Sequence, residues 1–556
     1  MFRIWLASVA VLSGWLAGAS NAPASGPATT PGSPAAAQVR YCDVTRFGAV
    51  GDGKTKNTQP IQETINAANE AGGGIVLIPP GIYLTGTIHL RNHVTLHLLP
   101  GATLLGSTDL ADYPSTQVTF RSYTDHYVCQ SLIAGENLHD IAITGKGIIK
   151  GQGADRAFSA SAPDWGFRKR PYIIRLVSCR NVLIEDVTLR DSPMWVQHYL
   201  ACDNLTIRGV TVRSRANNNN DGLDIDCCRN VRVTGCDISS GDDALCLKST
   251  ADRSCENIVI SDCVLSSACN GFKLGTETNG GFKNVTLTNC AMYDVNLAGI
   301  ALLIVDGGTL DGVTVSNVTM RNAGSPIFLR LGNRARPFKD NMPSPGVGRF
   351  RNVAISNIVA TGCERTGSSI VGLPDHLIEN VTLSNVNLTY AGGVTVAQIP
   401  AEIPEQPAGY PEHNMFGALP AYGFYCRHVD GLTLRDVAVR FAKPDQRPAL
   451  VFDDVRNLAV SGLRAQGTGG TRATIAMKAV SRALISECVA PADAPVFTWI
   501  DEGCERISVI GNDFSETARP FVFAGSSLVG CLFESANRTG QTPVAPAASR
   551  TAPAEE

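Results

Sequence analysis

Three aspartates stand out in the sequence because one repeat of the chain separates Asp221 from the adjacent pair Asp242 and Asp243. Carboxyl groups that crowd together repel one another when charged, so at least one of them should keep its proton. A protonated carboxyl could protonate a leaving oxygen while ionised neighbours activate water. This is the chemistry of glycoside hydrolysis with inversion, and we predict that all three residues are catalytic.

A short sequence pattern that recurs along the chain determines where these aspartates lie. The copies alternate apolar and polar residues, are rich in Val, Ile and Thr, and are too short for helical repeats, so they indicate strands. Strands that stack on their own copies at a fixed period form a parallel β-helix, which makes the predicted fold all-β. The clearest copies begin 23 to 27 residues apart, at Asn181, Asn204, Asn230, Asn257 and Asn284.

Aligning the copies by their asparagines also aligns a second strand of each coil, so that residues 222–227 stack on 244–249 and then on 271–276. Asp221 and Asp243 then hold equivalent positions on neighbouring coils, about 4.8 Å apart. Of the two alternating sets of side chains, the apolar one should point inward. The other set should face solvent, and it carries Asp224, Asp226, Lys248, Lys273 and Arg330.

Two other interpretations of the three aspartates remain open. Aspartate and asparagine are common in turns, so each residue by itself could be a corner residue. Clustered carboxylates also suit a hard cation such as calcium. Their common register beside Lys248 and Lys273 favours catalysis, and we expect neither a metal nor a cofactor.

The ends of the chain indicate export. Arg3, an apolar run and small residues predict a signal peptide over residues 1–19, followed by a flexible leader over 20–39. The β-helix domain should span 40–539, and the Pro- and Ala-rich residues 540–556 should be a disordered tail. These features predict a periplasmic or extracellular protein without a membrane span.

Residues 57–74 predict a helix, because apolar residues share one face and glycines follow its end. We expect this helix to cap the N-terminal end of the coil. Two segments, 329–350 and 397–423, make the spacing of the copies too long for one coil and predict loops that project from it.

The chain has 17 cysteines, several at equivalent repeat positions, and we favour buried ladders of thiols over disulfide bridges. The formal net charge of −3 gives no reason to expect nucleic acid or an anionic membrane as a partner. We expect a monomer.

The chain resembles glycoside hydrolase family 28, the polygalacturonase-like enzymes, over roughly residues 41–530. The resemblance lies in FGAVGDG (47–53), GGGIVLIPPGIYLTG (72–86), SPMWVQH (192–198), NNDG (219–222) and GDD (241–243). It implies a right-handed parallel β-helix and a pectic substrate. It also implies that Asp242 is the general acid and that Asp221 and Asp243 hold the water.

The sequence departs from the family at two substrate-binding motifs. The family's Gly-His-Gly aligns with Ala268, Cys269 and Asn270, and its Arg-Ile-Lys aligns with residues 301–303, Ala-Leu-Leu. The missing histidine resembles relatives that cleave rhamnogalacturonan. An ordinary endo-acting homogalacturonan hydrolase is therefore not expected, and long loops favour exo action.

Other cations could bind the sugar instead. Lys273 lies one coil before Ala301 and Arg330 one coil after Leu303, so we predict that Lys273, Lys248, Arg330 and His198 bind substrate. Surface charges and a packed histidine are the alternatives. Trp195 is either a platform for a sugar ring or part of the core, and the basic run 168–170 either flanks the groove or is solvated.

The sequence thus predicts an exported hydrolase of galacturonosyl or rhamnogalacturonan bonds in pectic poly- or oligosaccharide. A calcium-dependent polysaccharide lyase, with Lys273 as base, and a non-catalytic carbohydrate-binding solenoid are the alternatives. A lyase would release an unsaturated uronate and would lose activity in EDTA.

Overall fold

The computed structural model describes residues 40–159, 161, 168–468 and 473–540. The predicted signal peptide and leader, and the tail beyond residue 540, lie outside the described residues. Within them, 37 of the strands form one continuous sheet in which the strands pair in parallel. The chain is a parallel β-helix, and the predicted fold is confirmed.

The strands up to the first repeats are β1 Tyr41–Asp43, β2 Asp52–Lys56, β3 Gly74–Ile78, β4 Gly81–Thr85, β5 Ile88–His89, β6 Val94–Leu98, β7 Ala102–Gly106, β8 Ser131–Glu136, β9 His139–Gly145, β10 Ile148–Lys150, β11 Tyr172–Val177, β12 Arg180–Glu185 and β13 Thr188–Arg190. The central strands are β14 Gln197–Leu200, β15 Asp203–Arg208, β16 Thr211–Ser214, β17 Leu223–Asp226, β18 Arg229–Thr234, β19 Asp237–Ser240, β20 Leu245–Ser249, β21 Cys255–Ser261, β22 Val264–Ser267, β23 Phe272–Thr278, β24 Phe282–Ile304 and β25 Thr309–Leu331.

The later strands are β26 Arg349–Cys363, β27 Ser368–Val371, β28 Ile378–Gly392, β29 Phe424–Lys443, β30 Leu450–Ser461, β31 Arg464–Ala465, β32 Ala473–Lys478, β33 Ser481–Ser486, β34 Val496–Ile500, β35 Glu505–Ile510, β36 Asp513–Phe514, β37 Arg519–Phe523, β38 Leu532–Ser535 and β39 Arg538–Thr539. Helix α1 is Thr58–Glu70, and short 3-10 helices are Val44–Phe47, Leu110–Asp112, Tyr123–His126, Arg156–Phe158, Val396–Gln398 and Ser526–Cys531.

The repeated asparagines form corners of the coil. All five have φ between 53° and 58°, the left-handed region that asparagine tolerates better than most residues. Their side-chain amides bond from coil to coil, with Asn204 donating to Asn181 at 3.1 Å and Asn230 donating to Asn204 at 3.3 Å. This ladder continues through Asn257 and Asn284. It satisfies the amides and fixes the register of the strands that follow.

The predicted register is confirmed on the strands that carry the aspartates. β17 pairs with β20 so that Leu223 lies against Leu245 and Asp224 against Cys246. β20 pairs with β23 so that Leu245 lies against Phe272. Because one alternating set is apolar and fully buried, a shift of one residue would turn these side chains out of the core.

The cysteines behave as predicted. Cys179, Cys202, Cys228 and Cys255 are buried at equivalent positions of successive coils. All 17 cysteines, each of which lies among the described residues, are free thiols. They pack as small apolar residues whose thiols donate to backbone carbonyls, as Cys228 does to the carbonyl of Tyr199 at 3.1 Å.

The predicted helix forms as α1, and Ile61, Ile65 and Ala68 on its apolar face are buried in the main core. Pro60 stands in its first turn, where its missing N–H costs no helical hydrogen bond. That α1 caps the coil stays a prediction.

One prediction about exposure is wrong. The non-core set on β17, β20, β23 and β25 was expected to face solvent, yet Asp224, Asp226, Lys248, Lys273 and Arg330 are each at most 4% exposed. These side chains do point away from the core. Long segments of the chain lie over that face, however, and shield it from water.

Two covering segments matter for the site. Residues 107–130 cross the face of the early coils, and Val118 packs there with Val177, Leu200 and Ala251. The second predicted insertion, 397–423, overhangs β23, with Glu412 approaching Lys273. Of these polar side chains, Lys248 and Lys273 line a cavity between the strands and the covering segments.

Candidate active site

The three predicted aspartates come together. Asp221, Asp242 and Asp243 each offer a carboxylate oxygen, and these oxygens all lie within 4.8 Å of one another. They line a cavity of about 370 Å³. Asp221 and Asp243 are 3% and 2% exposed, whereas Asp242 is only half-buried. Asp242 is therefore the carboxyl of the three that a ligand can reach most directly.

The asparagine run before Asp221 holds this corner. The side-chain oxygen of Asn220 accepts hydrogen bonds from the backbone N–H groups of Ala216 and Asn217, and its amide donates to the carbonyl of Ser192. Arg170 donates to the carbonyl of Asn218 at 2.6 Å. These bonds fix the turn that presents Asp221, and they show that Arg170, the last residue of the basic run over 168–170, is not simply solvated.

Asp243 is held as an ion. The Lys273 ammonium lies 3.0 Å from its carboxylate, and Asn270 donates to it from its side chain at 2.8 Å and from its backbone at 3.2 Å. Burial by itself would raise the pKa of Asp243, but Lys273, Lys248 and the Asn270 bond outweigh burial and lower it.

Asp242 has the opposite tendency. Burial, and next the charge of Asp243, raise the pKa of Asp242. The Cys269 thiol beside this carboxyl opposes the rise but does not outweigh it. Asp242 and Asp243 thus form an adjacent pair whose environments separate their pKa values, which is the arrangement that an acid and a base require.

Asp221 shares its surroundings with Lys248. Burial raises the pKa of Asp221, and Asp224 and Asp242 raise it further. The Lys248 ammonium opposes this shift from 3.3 Å, and it also lies 3.5 Å from Asp224. The pKa of Asp224 is raised to about 8, chiefly by burial and against the pull of Lys248. Lys248 lies 4.6 Å from the centre of the Trp195 ring, which also lines the cavity.

Sequence reasoning missed Tyr410 and Glu412, which come from the 397–423 insertion. Tyr410 lines the cavity, and its hydroxyl accepts a hydrogen bond from Thr276 at 3.1 Å. Glu412 lies 3.5 Å from the Lys273 ammonium and accepts from the Asn270 amide at 3.3 Å. Both stand more than 130 residues from their partners in a segment without a repeat, so only the folded chain reveals them.

Glu277 was also missed, although it ends up in the cavity wall at the end of β23. Arg334 and Arg336 of the first insertion form ion pairs with it. These cations, together with Lys248, lower the pKa of Glu277 against the effect of burial. The acid is therefore a fixed negative charge beside the three aspartates.

Two predicted substrate contacts do not reach this cavity. His198 is fully buried, and its Nε2 lies 3.1 Å from Asp226, so it belongs to the packed alternative. Arg330 donates to the carbonyls of Gly372 and Glu405, at 2.9 and 2.7 Å. Its guanidinium anchors the second insertion to the coil and does not face the aspartates.

The three carboxylates have the donor type that a hard divalent cation prefers. Two ammonium groups already lie among them, Lys248 beside Asp221 and Lys273 beside Asp243. Since these groups supply the positive charge that stabilises the carboxylates, the site suits proton transfer better than calcium binding.

The fold and the site define a parallel β-helix with a cluster of carboxyl groups on its shielded face. The family model of the glycosyl hydrolases family 28 matches residues 99–404, so the chain belongs to this family. A model described as rhamnogalacturonase A/epimerase, pectate lyase-like, matches residues 41–102.

The chain is 36% identical over 220 residues to a probable polygalacturonase of Vitis vinifera, covering 37% of this chain and 44% of that protein. It is 29% identical over 252 residues to an exo-poly-alpha-D-galacturonosidase of Dickeya chrysanthemi, covering 37% of this chain and 41% of that protein. The match thus spans less than half the length of these curated relatives.

Among solved structures, an exopolygalacturonase from Thermotoga maritima superposes with a TM-score of 0.55 and 24% identity, covering 64% of this chain and 88% of the other. A family 28 exopolygalacturonase from Yersinia enterocolitica gives a TM-score of 0.55 and 18% identity, covering 78% and 80%. At this identity the likeness concerns the fold.

Proposed function

We propose that the chain is an exported hydrolase that cleaves galacturonosyl or rhamnogalacturonan bonds in pectic poly- or oligosaccharide with inversion. The observation that carries the proposal is the carboxyl cluster, in which the accessible Asp242 has a raised pKa and the recessed Asp243 a lowered one. Family membership and the polygalacturonase names of the relatives support the substrate class.

In this mechanism Asp242 protonates the glycosidic oxygen as the bond breaks. Asp243, kept ionised by Lys273, accepts a proton from the attacking water, and Asp221 helps to hold that water. Water attacks from the face opposite the leaving group, so the configuration at the anomeric carbon inverts.

The spacing of the carboxyl groups is closer to that of retaining enzymes, so the inference of inversion rests on the burial of Asp221 and Asp243. Retaining enzymes usually have carboxyl groups about 5–5.5 Å apart and inverting enzymes about 6.5–9.5 Å. Here the nearest oxygens are within 4.8 Å, close to the retaining value. A retaining nucleophile must reach the anomeric carbon, but Asp221 and Asp243 are almost fully buried and paired with lysines. Recessed carboxylates of this kind can hold a water between themselves and the sugar.

The residues that line the cavity are the expected contacts of the substrate. Lys273 and Lys248 place positive charge beside the reacting bond, and Trp195 offers an apolar ring next to Lys248. The 397–423 insertion brings Tyr410 over the same cavity. A segment that closes over a groove restricts how far a polymer can pass, which supports exo action. Three relatives carry names for exo enzymes.

The decisive experiment is hydrolysis of a panel of homogalacturonan and rhamnogalacturonan fragments, with products separated by chromatography. Wild type should release products, and Asp242→Asn should lower kcat by about 10²- to 10⁴-fold, the usual contribution of a general acid. Asp252→Asn, an exposed aspartate near the site in sequence, serves as the charge-matched control. Unchanged turnover in Asp242→Asn would remove Asp242 from the acid role, and NMR of the first-formed anomer separates inversion from retention.

Export to the periplasm or the extracellular space is part of the proposal, as is action as a monomer. Among the described residues, no helix is both long and apolar enough to cross a membrane. Secretion is tested by fractionating cells that express the full chain, and the oligomeric state by light scattering.

A further inference from the structure

A second cavity lies on the same face of the coil, on its N-terminal side. It has a volume of about 200 Å³, and its wall includes Arg175, Arg91, His89 and Glu136. In the register of the parallel strands, Arg175 of β11 lies opposite His198 of β14, and His198 lies opposite Asp224 of β17. At about 4.8 Å per coil, Arg175 therefore lies roughly 10 Å along the axis from Asp224.

The segment over residues 107–130 separates this cavity from the one that holds the aspartates. Val128 lines the first cavity, and the next residue, Cys129, lines the second. The second cavity is thus a compartment with its own wall and its own polar groups.

Arg175 is the unusual member of that wall. Its side chain is buried, at 3% exposure, yet its Nε, Nη1 and Nη2 atoms have no hydrogen-bond partner within the part of the chain that the structure describes. Its guanidinium carbon lies 5.6 Å from the centre of the Tyr172 ring. The other buried arginines of this face, Arg330 and Arg170, each donate to backbone carbonyls.

A buried guanidinium without a partner is costly, because it has lost its water and gained no acceptor. Five N–H groups in a planar fork match the two oxygens of a carboxylate. Arg91 and His89 add cationic or donor groups on the same wall. Glu136 forms no hydrogen bond with Arg175 in the described geometry, and its Oε1 accepts from the backbone and side chain of Thr119 at 2.6 and 2.7 Å.

We propose that the cavity around Arg175 binds the carboxylate of a sugar acid, at a site distinct from the catalytic cavity. The fork of Arg175 holds the two carboxylate oxygens, and the remaining volume receives the sugar ring. The choice of a uronate among carboxylates rests on the proposed pectic substrate, but the carboxylate site itself does not. The uronate is either a free monosaccharide or one residue of a longer chain, and both present the same group to Arg175.

The test is calorimetric titration of the whole protein with D-galacturonate, trigalacturonate, D-galactose and inorganic phosphate. Galacturonate or trigalacturonate should bind wild type, and Arg175→Gln should weaken that binding at least tenfold. Whichever of the two binds more tightly identifies the free sugar or the chain as the source. Arg180→Gln removes an exposed arginine of the next strand and should leave binding unchanged.

Lys273→Met separates this proposal from the catalytic one, because it alters the first cavity and should leave the Arg175-dependent binding intact. Equal binding by wild type and Arg175→Gln would overturn the proposal, as would equal affinity for D-galactose or a preference for phosphate. If Arg175→Gln does not fold, a crystal structure of wild type grown with galacturonate decides the matter. A carboxylate on the Arg175 fork supports the site, and its absence there refutes it.

Discussion

Replacing Lys273 with methionine should both destabilise the fold and make its stability depend on pH in a defined way. The Lys273 ammonium lies 3.0 Å from Asp243, and both side chains are at most 4% exposed. Methionine keeps much of the apolar volume but leaves the Asp243 carboxylate buried without that cation. Removing one partner of a buried ion pair typically costs about 3–5 kcal/mol, and we expect a loss of this size at pH 7.

The sign of the pH dependence follows from the pKa of Asp243, which the fold lowers. Its ion pair stabilises the folded chain above the unfolded pKa of about 3.9 and is lost as pH falls through the lower folded value. Without Lys273 the pKa of Asp243 rises, so the variant loses stability as pH increases from about 4. The difference between wild type and Lys273→Met should therefore be large at pH 7 and should shrink towards pH 3.5.

Urea unfolding at pH 3.5, 5 and 7, followed by tryptophan fluorescence, measures this difference. Lys283→Met removes an exposed lysine of the adjacent coil and should change little at any pH. If Lys273→Met loses the same free energy at pH 3.5 as at pH 7, or no more than Lys283→Met, the ion pair does not hold Asp243 charged.

Three further outcomes follow from the same charges. Wild type should lose stability as pH rises from about 4 to 8, because the buried Asp224 has a pKa of about 8 and charging it disfavours the fold. Asp224→Asn lacks this loss, so its melting temperature should rise relative to that of wild type over this range and by no more above pH 8. Glu412→Gln should lower KM for galacturonides by roughly tenfold, about 1.4 kcal/mol, because the substrate carboxylate then no longer competes with Glu412 for Lys273; KM on a neutral glycoside is the control. EDTA should leave turnover unchanged and products should show no unsaturated-uronate absorbance, whereas loss of activity in EDTA would favour the lyase.

The coil and the cluster of three aspartates were predictable because both depend on a repeat. Asparagines at a constant interval set the corners, and the alternation of apolar residues set which side chains enter the core. Together they placed Asp221 level with Asp243 without any three-dimensional information. The pairing of Leu223 with Leu245 shows that this local periodicity determines the register.

The surroundings of the trio were not predictable, because they come from segments that interrupt the repeat. Alternation tells which side chains leave the core, but it does not tell whether another segment covers them. The alternation therefore predicts that Lys273 is exposed, although Glu412 lies over it. It likewise makes Arg330 a candidate for binding substrate, although its guanidinium donates to backbone carbonyls of the insertion. No pattern in residues 397–423 indicates where that segment packs.

The charge of Lys273 decides between the two reactions that a β-helix of this kind could carry out. Elimination needs a neutral amine to take a proton from carbon, and so it needs a lysine with a depressed pKa. Burial alone would lower the pKa of Lys273, but Asp243 and Glu412 raise it well above its usual value, which keeps the ammonium charged. A charged Lys273 cannot act as that base, but it can hold Asp243 ionised beside Asp242, whose pKa is raised. The same lysine that a lyase would use as its base therefore maintains the separated pKa values of an acid–base pair, and these charges favour hydrolysis.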